Sequence, residues 1–167
     1  MSNLLNTKNV RIGRGDILAS PPNVVTATFT PAAAAYGAGD IMQGAREFAD
    51  IGVAGDTIKI VGLSFMVAHT ALVASEAGYT LHLYNVTPPS ALADNAAWDL
   101  PSGDRAAYLG KLACGIPVDL GSTLWVETHT FAKRIKLLST SVWGYLATDA
   151  GITATAAARS ISLHVEP

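Results

Sequence analysis

Residues 56–67 read DTIKIVGLSFMV. The run is long, free of proline and rich in β-branched and apolar residues, which is a strand signature. Its first half alternates apolar with polar. Its second half places apolar side chains on both faces. That pattern predicts a central strand covered on both sides, so the chain must provide strands on either edge and a layer to pack against. Residues 24–30 alternate in the same way and stop at Pro31. Residues 79–86 predict another strand, with Leu81 and Leu83 on one face and Thr80, His82 and Tyr84 on the other. Further strands are expected at residues 124–131, at 136–140 running on to 146, and at 160–165, where Ile161, Leu163 and Val165 share one face. Residues 44–48 and Ile51 lead into a second sheet region. Only residues 68–77 read as a short helix or a loop. Many short strands without a long amphipathic helix imply an all-β fold: an antiparallel β-sandwich of jelly-roll type.

The first 22 residues behave differently. They show no usable periodicity and close on Pro21-Pro22, which favours an extended path. The expected division is an extended N-terminal arm over 1–22 and a sandwich domain over 23–167. The arm holds Lys8, Arg11 and Arg14 against Asp16, whereas the remainder of the chain is acidic and the net charge is −2. Charged residues make up only 14% of the chain, against about 25% in typical domains. A surface so poor in charge suggests that part of it is covered in an assembly. The weak net charge gives no general attraction to nucleic acid or acidic membranes. The most apolar stretch, residues 60–74, is interrupted by Ser64, His69 and Thr70 and is shorter than a membrane span. A soluble protein made in the cytoplasm is the expectation.

The motifs carry little chemistry. Cys114 is the only cysteine, so an internal disulfide is impossible, and its apolar setting suggests an inert buried thiol. Histidines 69, 82, 129 and 164 lack metal-ligand spacing. His82, His129 and His164 share a polar-facing phase and could converge if their strands are neighbours. Surface or interface positions are expected for them. Asp94, Asp99 and Asp104 fit neither a calcium loop nor paired acid–base carboxylates on a rigid element. Turn-forming and capping roles are expected for them, with Trp98 pinning the connection to the sheet. Gly13-Arg14-Gly15 and Gly37-Ala38-Gly39 do not complete a phosphate-binding loop. Arg14-Gly15-Asp16 reads as a chance tripeptide, Asn85-Val86-Thr87 as a formal glycosylation sequon, and Lys133-Arg134-Ile135-Lys136 as a loop or partner contact. No enzyme, cofactor or metal is expected.

A family resemblance rests on four segments taken in order. They are Tyr36-Gly37-Ala38-Gly39-Asp40, Tyr79 through Asn85 (YTLHLYN), Ala93 through Trp98 (ADNAAW), and Tyr108-Leu109-Gly110. With their spacing, residues 24–165 resemble small virion proteins of tailed bacteriophages, namely capsid decoration (cement) proteins. The resemblance implies a protein on the capsid surface that bridges major capsid protein subunits, as a homo-oligomer with a trimer favoured. It implies an arm that reaches a neighbour, with Lys8, Arg11, Ile12, Arg14, Ile17 and Leu18 as contacts. Another virion part (tail, baseplate or head-fibre base) would share the same core. A carbohydrate-binding jelly roll would need exposed aromatics, with Tyr84, Trp98, Trp125 and Trp143 as candidates.

Overall fold

A computed structural model describes residues 23–167. The proposed arm, including Lys8, Arg11, Ile12, Arg14, Ile17 and Leu18, lies outside the described residues.

The 56–67 run forms β4 (Thr57–Val67), and strands arrive on both its edges. In chain order the others are β1 (Asn23–Phe29), β2 (Ala35–Tyr36), β3 (Arg46–Phe48), β5 (Tyr79–Tyr84), β6 (Tyr108–Gly115), β7 (Val118–Asp119), β8 (Leu124–Thr128), β9 (Lys133–Lys136), β10 (Val142–Thr148), β11 (Ile152–Thr153) and β12 (Arg159–Glu166). One sheet runs β1-β12-β4-β8-β7, with β9 beside the first half of β4. The other runs β3-β10-β5-β6, and β2 pairs with β11. Every pairing is antiparallel. Without the short or accessory strands β2, β7, β9 and β11, the strand orders become first–eighth–third–sixth and second–seventh–fourth–fifth. That is the double wrap of a jelly roll, so the all-β sandwich expectation holds. Among the described residues no helix is long and apolar enough to cross a membrane.

The alternation in the sequence builds the core directly. Val25, Ala27 and Phe29 of β1, Ile161, Leu163 and Val165 of β12, and Leu63, Phe65 and Val67 of β4 all face inward. Leu81 and Leu83 of β5, Leu112 and Cys114 of β6, and Val142 and Leu146 of β10 meet them from the second sheet. Phe65 and Tyr79 touch across the gap, ring centroids 4.8 Å apart. Gly144 sits where this packing leaves no room. A Cβ there would lie 2.8 Å from Leu81 Cδ1 and 3.2 Å from Phe48 Cε2. Gly144→Ala should therefore cost about 1–3 kcal/mol, as overpacking does, measurable as a lower urea midpoint at unchanged slope.

Three expectations need correction. Residues 136–146 are not one strand. The chain leaves the first sheet after Lys136, turns through the exposed Leu138 and a Ser139–Ser141 contact, and enters the second sheet at Val142. Second, the polar-facing phase of β5 is not at the surface: His82 and Tyr84 are buried. Residues 85–107 fold back over that face, and Tyr84, Tyr145, Ala147, Ile41 and Ala107 form a smaller second core with Trp98 and Tyr108 against them. Third, β4 is central but has no layer on its outer side among the described residues. Its outward phase includes Lys59, Gly62, Ser64 and Met66, of which Gly62 and Ser64 are hidden by their immediate neighbours.

Candidate functional site

The two sheets differ in what covers them. The outer face of the four-stranded sheet lies beneath residues 85–107, whereas the outer face of the larger sheet is open among the described residues. The register sets out that open face in rows. Thr28, Ser160, Met66, Trp125 and Val118 lie side by side across five strands. The next row is Thr26, Ser162, Ser64 and Glu127, and the next is Val24, His164 and Gly62. Glu127 is the one carboxylate in these rows, and they contain no lysine or arginine.

The hydroxyls bond to one another across the strands. Thr26 Oγ1 and Ser162 Oγ are 2.7 Å apart, and Thr28 Oγ1 and Ser160 Oγ 3.0 Å. Short side chains held in this way lose little freedom when a partner settles on them, so the entropy cost of docking is small. His129 lies over Gly62, where a Cβ would come within 3.0 Å of its Nδ1. Its ring stands edge-on to His164 at 5.9 Å, and its Nε2 is 3.3 Å from a Glu127 carboxylate oxygen. Two of the three in-phase histidines thus converge, although β4 lies between their strands, because Gly62 of β4 leaves room for the His129 ring. His82 does not join them, because its strand belongs to the other sheet.

Charge collects at one end of the face. Past the bulge between His164 and Val165, Glu166 lies opposite Lys59, which lies opposite Arg134, with Lys136 one row further. Lys59 Nζ and Glu166 Oε2 are 3.4 Å apart. The basic run of residues 133–136 is therefore strand β9, with Ile135 buried in the core and the charges set along its flanks. On the far edge Ile116, Val118 and Leu120 are 59%, 56% and 66% exposed. They sit on or beside β7, whose outer edge is unpaired. Apolar exposure on an open edge strand is unusual for a free domain, because such edges invite pairing.

The carboxylates of residues 94–104 do not meet. Asp94 ties three segments together, accepting from Ala32 N at 3.0 Å, Gln43 N at 2.6 Å and the Tyr36 hydroxyl at 2.8 Å. Burial alone would raise its pKa, but these donors outweigh burial and hold the carboxyl below the ordinary aspartate value. Asn95 follows in the left-handed region at φ 63°, as a turn former can. Asp99 accepts from Leu100 N. Asp104 is fully buried and accepts from Ser90 N at 3.0 Å. Each has a structural partner of its own. Among the described residues no group of three or more His, Cys, Asp or Glu is placed to hold a metal ion. Burial pushes the Cys114 thiol far above its usual range, which keeps it protonated and unreactive.

Of the aromatics named as sugar-binding candidates, Tyr84 is buried, and Trp98, Trp125 and Trp143 are half-buried. Trp98 does pin its connection: its ring stacks on His82 at 3.8 Å and its Nε1 donates to the Tyr84 hydroxyl at 3.2 Å. The hydroxyl rows were missed in the sequence, since alternate Ser and Thr look like ordinary solvent-facing positions. The available signal was the absence of charge at those positions over three strands. Searched against known proteins, the chain matches no protein-family model and no curated protein.

Proposed function

We propose that this chain is a structural protein of a bacteriophage virion that decorates the capsid exterior and stabilises the shell by bridging major capsid protein subunits. The observation that carries this reading is the open outer face of the larger sheet, whose three rows, starting from β1, hold one carboxylate and no lysine or arginine. It reaches across five strands and is held in place by its own hydroxyl pairs, as a surface built to dock against another protein would be. The four resembling segments in the sequence support the same reading. Jelly rolls serve in viral capsids, although a fold alone does not assign a function. In this proposal the arm residues Lys8, Arg11, Ile12, Arg14, Ile17 and Leu18 add contacts to the shell. The apolar edge at Ile116, Val118 and Leu120 contributes to a trimer.

The test is decoration of capsids that lack the protein. The double variant Thr26→Arg/Ser162→Arg puts two unpaired charges into the face, and burying an unpaired charge costs several kcal/mol. Occupancy should fall by at least tenfold, with the variant still folded by circular dichroism. Full occupancy by this variant would remove the open face from the interface. Capsids that resist heat equally with and without the wild-type chain would remove the stabilising role. Undiminished binding after deletion of residues 1–20 would remove the arm as an anchor.

A further inference from the structure

A shallow cleft of about 370 Å³ opens on the opposite side of the sandwich, at the edge of the connection that covers the four-stranded sheet. Its floor is the outer face of β5 and its neighbours: Thr80 and His82, with Lys111 opposite His82 on β6 and Ala147 opposite Thr80 on β10. Trp98 and Gly39 form one wall and Asp149 another. We propose that this cleft binds a neutral hexopyranose unit of a glycan.

Four features support that ligand class. The volume falls at the lower end of small-molecule sites and fits a single sugar ring. The charges exclude simpler ligands: an anion drawn to Lys111 meets Asp149, and a cation drawn to Asp149 meets Lys111. A neutral molecule bearing both donors and acceptors satisfies both groups. Asp149 is held for this purpose, since Thr80 Oγ1 donates to its Oδ1 at 2.8 Å and its own N–H donates to Gly78 O at 2.9 Å. A fixed carboxylate accepts from sugar hydroxyls without losing side-chain freedom. Finally, Trp98 offers a half-buried indole for the apolar C–H face of a pyranose, and the ring is already locked by its stack on His82 and its bond to Tyr84. His82 Nδ1 is engaged with the Tyr108 hydroxyl at 3.1 Å, which leaves Nε2 as its free ring nitrogen. A peptide strand has no place here, because the floor is a sheet face whose backbone groups are already paired with flanking strands.

The cleft's chemistry stands without the decoration reading. Only its outward presentation rests on that reading: a shell docked on the open face would leave the cleft pointing into the medium. The test uses the isolated ¹⁵N-labelled full chain and no capsids, so its outcome is separate from the decoration assay. Methyl α-D-glucopyranoside, methyl α-D-galactopyranoside and methyl α-D-mannopyranoside are titrated in turn, with glycerol as the control. The expected result is saturable shifts for at least one glycoside, at the Trp98 indole N–H and the amides of Thr80, Thr148 and Asp149, with a millimolar Kd. Asp149→Asn keeps an acceptor for Thr80, and Lys111→Ala alters an exposed side chain, so both variants should fold. Each should weaken binding at least fivefold. The proposal is overturned if no glycoside gives saturable shifts at these groups, if glycerol gives the same shifts, or if both variants bind as the wild type does.

Discussion

Asp94→Ala should lower the stability of the domain by about 3 kcal/mol. The carboxylate accepts from two backbone amides and one phenol, on segments as far apart in sequence as residues 32 and 43. A buried donor left without its acceptor costs about 1–3 kcal/mol. Ala32 is exposed and its amide can turn to water, but Tyr36 is only 3% exposed and without Asp94 its hydroxyl keeps just the long 3.4 Å contact to Ala32 O. Burial, with the Asp94 carboxylate beside it, pushes the Tyr36 hydroxyl up to about 12. For a chain of this length the loss corresponds to a fall in Tm of about 6–12 °C. Asp94→Asn keeps an acceptor but gives up the charge, so about half the loss is expected. Calorimetry on the two variants checks the ranking, and an Asp94→Ala protein that melts with the wild type would refute the staple.

That residue also marks how far the sequence was legible. The strand run at 56–67, the inward phase of residues 161, 163 and 165, and the absence of any long helical period follow from side-chain alternation. Alternation is a local property, and the fold repeats it faithfully. Asp94 and Trp98 are legible as turn and anchor, because Asn95 beside them suits a left-handed turn and a large aromatic in a connection needs a surface to cover. What alternation does not report is a layer supplied by a distant loop. The same period that puts Leu81 inward puts Tyr84 outward, and only the return of residues 85–107 buries it. The open face was obscure for the opposite reason. Ser and Thr suit water and a protein partner equally well, so Thr26 or Ser162 alone is uninformative. The signal arises only when the register of β1, β12 and β4 aligns them in rows. The break at 136–142 needed tertiary information as well, since both halves favour strands and only the core decides that they belong to different sheets.

Acid should loosen the connecting layer before it touches the rest of the molecule. His82 lies beneath Trp98 and is 6% exposed. Burial, assisted by the charge of Lys111 opposite it, lowers its pKa from 6.5 to about 4. A histidine depressed in the folded state favours unfolding once it takes up a proton. Its contribution is therefore intact above pH 6.5 and declines as the pH falls from there. The loss levels off below about pH 4, where both states are protonated. A shift of that size corresponds to about 3 kcal/mol. The imidazolium would recover about 1 kcal/mol against the indole face, leaving a net loss of about 2 kcal/mol. Asp94 acts in a different window, because a depressed carboxylate loses its contribution only below its ordinary pKa. His82→Phe keeps the stack on Trp98 and has no proton to gain. The wild type should thus lose about 4–8 °C in Tm between pH 7 and pH 4 through this one group, and His82→Phe should lose correspondingly less over the same interval. Indole fluorescence followed alongside calorimetry would show whether Trp98 is the part that moves first. Identical pH–Tm profiles for the two proteins would mean that the buried imidazole does not control acid stability.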